Sequence, residues 1–188
     1  MDFGLSQEQQ MLAESVTRLL RELCPLDEVR HVAEGASAVS AQTQAALAEM
    51  GLPGLVVPEA HGGLGMGMLD AAVVAAALGE AVAPVPFAGR NVMAPLAFIE
   101  AGTEAQKAQW LPKMASGEAR FGVGVQQLVS NRDGSGLLCT DGKLTGAALF
   151  VLDCEGADYF LVADQTGRLH IVSVQADGLQ LIDLKTID

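Results

Sequence analysis

The residues best placed for chemistry sit in PEAHGGLGMG, residues 58–67: four glycines in ten residues, with His61 beside a glycine pair and Glu59 two positions before it. Three chemistries suit such a run: a loop that wraps phosphate in backbone N–H groups, a metal or acid/base site on His61, or a turn that needs glycine for its backbone. The phosphate reading is weak, because the run has neither GxGxxG after a strand nor GxxxxGK followed by Ser or Thr. His61 has no second histidine or paired carboxylate at ligand spacing, and Glu59 shares a face with it only in an extended segment. A glycine turn carrying a satisfied or solvated histidine is the simplest reading. Cys24, Cys139 and Cys154 contain no CxxC and stand near no histidine pair, which points to free thiols rather than a disulfide framework or zinc. Glu8, Glu14, Glu49, Glu80 and Glu118 fall at helix caps or on polar faces and read as solvated surface. None is identifiable as a general base, and no residue here is assigned a catalytic role.

Charge and composition narrow the partners. The formal net charge is −12 with lysine and arginine scattered singly, so no basic face is available to neutralise phosphates and nucleic acid is excluded. Half of the residues are hydrophobic, enough for a packed core. No apolar run approaches the ~20 residues that span a bilayer. The start, MDFGLSQEQQ, lacks a basic segment followed by an apolar one, and a cytoplasmic location is expected.

The elements that must position these residues fall into two halves. Up to about residue 114 the apolar period is helical. Ser6 and Gln9 make a capping box for a helix whose apolar face is Leu12, Val16, Leu19, Leu20 and Leu23, ending at Pro25. A short helix should follow and stop at Gly35; Ser40 should cap another that runs to Met50, with Gly51 as its left-handed stop. The Ala- and Val-rich segment 69–82 reads as a helix buried nearly all round. Asn91 and Thr103 are expected to cap two more, the latter with Gln106 in a capping box and Trp110 on the apolar side. At Ser116-Gly117 the texture changes to short β-type bursts. Residues 137–140 and 143–145 around Asp141-Gly142 predict a hairpin on a primed turn. Strands are expected at 149–152, 159–163 and 169–174, the last two joined by Gln165-Thr166-Gly167. The pattern predicts an α+β fold with antiparallel strands.

Four strings in this order, MDFGLSQEQQML, GLVVPEAHGGLGMG, GTEAQKAQWLPKMASGEARFGVG and LTGAALFVLDCEGADYFLV, resemble the acyl-CoA dehydrogenase family of flavoproteins along the whole chain. The resemblance implies an all-helical N-terminal domain over 1–116, followed by an antiparallel β-barrel-like domain over 117–188. A helical C-terminal domain would come next and is absent from this chain. It also implies that PExxGGxG is a turn, with Gly62, Gly63 and Gly65 doing backbone work.

The implied activity is FAD-dependent α,β-dehydrogenation of an acyl-CoA thioester, with an electron-transfer flavoprotein as acceptor and a homo- or hetero-oligomeric assembly. A glutamate of the C-terminal domain takes the α proton in relatives, so residues 1–188 alone are expected to be inactive. The flavin ring should lie over Phe121, Val123 and Gly124 and over Phe150 and Leu152. Gly124 and Leu152 replace the family's usual threonines, which leaves backbone N–H groups as donors. Ser130 falls at the position that contacts acyl-CoA in relatives, and also reads as a turn serine. Two readings follow: a dehydrogenase, or a non-catalytic partner subunit of a heteromeric one. Either implies an exposed apolar surface around 69–82 and on the inner face of the β region.

Overall fold

The computed structural model describes residues 4–35, 39–129 and 135–183. Its helical part begins with α1 (Gln7–Leu23), where Ser6 Oγ accepts the Gln9 N–H and Gln9 returns a bond to the Ser6 N–H. Substituting such a cap by alanine typically costs about 1 kcal/mol. α2 (Leu26–Glu34) ends at Gly35, and α3 (Ala41–Glu49) starts on Ser40, whose Oγ accepts the Thr43 N–H. Gly51, with a φ of +80°, turns the chain out of α3. Val16 and Leu20 of α1, Leu47 of α3 and Val74 and Leu78 of α4 (Met68–Glu80) meet in one buried cluster with Leu52 and Leu55.

α4 is not buried all round. Ala71, Val73, Val74, Ala77 and Leu78 face the core, whereas Leu69, Ala72, Ala75 and Ala76 are exposed, as is Val82 beyond its end. Short apolar side chains on every face made the pattern unreadable, and one apolar face is left to solvent, as expected for the surface around 69–82.

Asn91 does not cap a helix. It is buried within a π-helical stretch, Ala88–Met93, that runs directly into α5 (Ala94–Ala101). α6 (Glu104–Ala115) carries the expected Thr103–Gln106 capping box.

The strand part is α+β as expected, with a mixed rather than antiparallel main sheet. Strands β1 (Phe121–Gly124), β4 (Tyr159–Ala163) and β5 (Leu169–Ser173) lie in the order β1-β4-β5. β1 runs parallel to β4, Phe121 opposite Tyr159, and β5 antiparallel to it. Parallel neighbours need a long crossover, and residues 125–158 supply it. Within that crossover α7 (Gln126–Val129) is one turn, and β2 (Gly136–Thr140) pairs with β3 (Lys143–Ala147) as a separate hairpin on the expected Asp141-Gly142 turn. The described strands therefore close no barrel. Residues 149–152 form no strand, because Phe150 and Asp153 take φ values of +53° and +52° and interrupt the extended run. Only Leu152 bridges to Val123.

A second cluster joins the two parts: Phe98, Leu111 and Met114 of the helices pack with Phe121, Val123 and Leu161 of the sheet. Among the described residues no helix is long and apolar enough to cross a membrane.

Candidate functional site

The glycine run is a turn stitched to the segment before it. Leu64, Gly65 and Met66 donate their N–H groups to the carbonyls of Gly54, Val57 and Leu55 at 2.8, 2.8 and 2.9 Å. The backbones approach so closely that a Cβ on Gly63 would collide with the Val57 carbonyl. His61 ends the 3-10 turn Glu59–His61, half-buried, and no cluster of metal-ligating side chains exists among the described residues.

β1 is the centre of the expected flavin site. Phe121 is fully buried in an aromatic group, edge-on to Phe98 (5.6 Å) and Trp110 (5.4 Å) and stacked on Tyr159 (5.4 Å). Its ring anchors β1 to α5 and α6 and is not available to a ligand. The Val123 side chain is likewise buried, at 1% exposure. Val123 and Leu152 exchange both backbone bonds, each 2.9 Å, so these four polar groups are occupied within the chain. Gly124 is tightly enclosed: a Cβ there would lie 3.2 Å from Val151 Cγ2 and Val162 Cγ1 and 3.3 Å from Ala148 Cβ. Phe150 and Leu152, by contrast, are 47% and 44% exposed. The structure thus brings Val123, Gly124 and Leu152 together beside Phe150, with the last two presenting apolar surface. Ser130 lies outside the described residues.

Sequence reasoning missed the contacts that hold this segment. Asp153 Oδ2 accepts the Arg90 backbone N–H at 2.8 Å, and Arg90 Nη2 donates to the carbonyls of Glu155 (2.7 Å) and Asp153 (3.3 Å). Gly89 permits that approach, since a Cβ there would meet Asp153 Oδ2 at 3.0 Å and Leu152 Cβ at 3.1 Å. The available signal was a single arginine in the otherwise uncharged stretch VPFAGRNVMAPLAF. Burial pulls the Arg90 pKa below its ordinary value.

Nearby, Arg120 clamps Asp158 through Nε (2.9 Å) and Nη2 (2.8 Å), a bidentate geometry that holds the carboxyl below its usual range. Burial raises the Cys154 thiol. At the β4–β5 turn Asp164 is 3% exposed and accepts from Thr166 Oγ1 and N–H and from the Arg168 N–H, with His170 Nε2 at 2.8 Å. Those bonds, Thr166's first, depress its pKa.

Two concavities open elsewhere on the described surface. One, of about 460 Å³, lies between the glycine run and α5, with Val56, Met66, Met68, Leu96 and Ile99 on its walls. The other, of about 350 Å³, opens between α3, the π-helical stretch and the start of β1.

The family model described as acyl-CoA dehydrogenase, N-terminal domain, matches residues 6–118. The chain belongs to the acyl-CoA dehydrogenase family. Among curated acyl-CoA dehydrogenase relatives, (2S)-methylsuccinyl-CoA dehydrogenase of Cereibacter sphaeroides is 36% identical over 117 residues, 61% of this chain and 21% of that protein. A variant of the Tcur3481-Tcur3483 steroid ACAD has a TM-score of 0.79 at 28% identity, covering 92% of this chain and 49% of that one. The ChsE4-ChsE5 complex from Mycobacterium tuberculosis has a TM-score of 0.85 at 24% identity, covering 98% and 52%. The chain spans about half, or less, of the length of the acyl-CoA dehydrogenase proteins it matches.

Proposed function

We propose that the chain is part of an FAD-dependent acyl-CoA dehydrogenase that carries out α,β-dehydrogenation of an acyl-CoA thioester. In this reading residues 1–116 supply a helical wall, residues 117–188 the platform under the flavin, and the proton-abstracting base comes from outside these residues. Oligomerisation and electron delivery to an electron-transfer flavoprotein belong to the same proposal. The observation that carries it is the exposure of Phe150 and Leu152 on a segment pinned to β1 by the paired Val123–Leu152 bonds and to the helices by Arg90 and Asp153. The family resemblance assigns the flavin ring to that segment, and the exposure of Phe150 and Leu152 is compatible with the assignment.

The fit is to the face of a flavin and not to its polar edge. Gly124 carries no hydroxyl, Leu152 has an apolar side chain, and the Val123 and Leu152 backbone groups bond each other. No step of the reaction is therefore assigned to these residues; they offer surface and position. This deficit favours the second reading, a non-catalytic partner subunit of a heteromeric dehydrogenase. The hyphenated two-chain names of the solved neighbours agree with such assemblies.

Dye reduction with a range of acyl-CoA esters and added FAD tests the proposal on the 188-residue chain, alone and with the remaining helical region added in cis or by a partner. No turnover alone and turnover on addition are expected; turnover by the chain alone would refute the assignment of the base. Yellow colour on purification with its partner, traced to this chain's own site, supports the first reading over the second.

A further inference from the structure

Among the described residues Asn91 is the one buried polar residue whose side chain bonds nothing. Ser40 and Thr43 bond each other, Arg90 Nη2 reaches two carbonyls, and Asp164 accepts from Thr166. Asn91 is 9% exposed, and neither its Oδ1 nor its Nδ2 has a hydrogen-bond partner there. Neither atom is sealed from solvent, unlike Arg90 Nε. The concavity available to them is the cleft between α3, the π-helical stretch and the start of β1, on whose wall Asn91 stands. Buried amides without partners are rare, and each asks for a reason. π-Helical turns are also rare and recur at functional sites; the one at Ala88–Met93 carries Asn91.

The rest of the cleft favours a neutral ligand. Its two arginines are balanced: Arg120 grips Asp158, and Asp153 and Asp158 act on Arg90 as favourable charges. A charged ligand finds no free counter-charge there. One wall is α3, where Ala41, Gln44, Ala45 and Ala48 recur at i, i+3, i+4 and i+7 and form a face of mostly small side chains. The buried Leu52, Phe87 and Met114 make an apolar bed. Gln44 adds a second carboxamide, half-buried and without a side-chain bond among the described residues. A ketone answers Asn91 Nδ2 and leaves Oδ1 unbonded. An edge with a donor and an acceptor side by side answers both atoms, as in the bidentate pairing of asparagine with a nucleobase.

We propose that this cleft binds a small neutral heterocycle of the lactam type, its N–H and C=O paired with Asn91 Oδ1 and Nδ2 and its ring on Phe87 and Met114. The volume of about 350 Å³ lies at the small end of ligand sites and suits a single ring. The heterocycle is either free or the base of a nucleoside, and the recognised edge is the same. The proposal goes beyond the flavin reading, because none of Phe121, Val123, Gly124, Phe150 and Leu152 lines the cleft.

The test is heteronuclear NMR on the 188-residue chain, following the Asn91 side-chain amide during titration with ε-caprolactam, N-methyl-ε-caprolactam, cycloheptanone, uracil and uridine. The lactam should shift that resonance saturably and bind about tenfold or more tightly than its N-methyl derivative or the ketone, each of which forfeits the donor. Asn91→Leu should erase the preference and leave lactam and ketone equal within about twofold. Because the Asn91 side chain bonds nothing within the protein, no fall in melting temperature is expected. Ala48→Phe, on the exposed face of α3, should weaken all three ligands about tenfold with an unchanged melting curve, and it keeps the test open if Asn91→Leu fails to fold. Uridine as tight as uracil would identify the nucleoside as the source; a weaker uridine would identify the free heterocycle. An unmoved Asn91 amide, equal binding of the lactam and its N-methyl derivative, or a preference that survives Asn91→Leu would overturn the proposal.

Discussion

Replacing Gly124 by threonine, the residue that the family resemblance implies at this position, is expected to destabilise the structure. A Cβ would stand 3.2 Å from Val162 Cγ1, 3.2 Å from Val151 Cγ2 and 3.3 Å from Ala148 Cβ, inside the ~3.5–4.0 Å optimum for carbon pairs. Val162 cannot retreat, because β4 is hydrogen-bonded to β1 on one edge and β5 on the other. Val151 and Ala148 belong to the irregular segment before β4 and are half-buried, so they can yield in part. Overpacking of this kind costs about 1–3 kcal/mol, and threonine's two further heavy atoms put it at the upper end. Strand propensity and the lost flexibility of glycine return roughly 1 kcal/mol. The net expectation is a loss of ~1–2 kcal/mol, a fall in Tm of about 2–8 °C at ~2–4 °C per kcal/mol. Adding Val151→Ala should recover part of it, by opening the side that contacts the new Cβ. Urea denaturation and thermal melts of the three proteins measure this, with FAD titration alongside. A Gly124→Thr protein as stable as the parent would refute the reasoning, and would return the missing hydroxyl to the status of an easily restored contact.

Gly63→Ala should be far more damaging than Gly62→Ala. The first drives a Cβ into the Val57 carbonyl, while the second meets nothing within 4 Å and suffers only from its φ of +81°, a strain of about 1–2 kcal/mol; denaturation midpoints of the pair would reverse if the turn were loose. Asp164→Asn should lower stability at neutral pH, and its deficit should shrink on acidification. Because the folded carboxyl is held below its ordinary value of 3.8, the stabilisation is complete above that pH and is lost as pH falls further. Denaturation at neutral pH and at about pH 3 reads this directly, and a deficit independent of pH would contradict it.

What was legible in the sequence was local. The Ser6–Gln9 and Thr103–Gln106 boxes and the Asp141-Gly142 hairpin are specified by residues within a turn of one another, and each formed where expected. The glycine run was also readable as a turn, although the collision that demands Gly63 depends on Val57. Partners distant in sequence were not legible. Nothing near Phe121 says that it will lie parallel to Tyr159, or that Phe98 and Trp110 will enclose its ring. The apolar run at 149–152 satisfies a strand pattern, and only the positive φ of Phe150 and Asp153 prevents one. Asn91 has the composition of a cap, but the preceding backbone enters a π-helical stretch and buries it. In the candidate site, the side chains of Phe121 and Val123, expected under the flavin, serve the core. Arg90 and Asp153, which fix the exposed segment, came from two stretches with no pattern in common.

The parallel pairing of β1 with β4 also sets an order of assembly. Helices α1 to α6 make their contacts early in the chain, and Phe121 can enter the ring cluster of Phe98 and Trp110 as soon as it leaves the ribosome. Its strand then waits with both edges open, since Leu152 on one side and Tyr159 on the other are made only after the whole β2–β3 hairpin. Long-range pairing of this kind is slow, and open edges invite other chains. Ribosome-arrested chains should therefore gain protease resistance in two steps, one after about residue 116 and one after about residue 163, with a sticky interval between them. For this protein the hazard in synthesis lies with a strand of four residues that is already half docked.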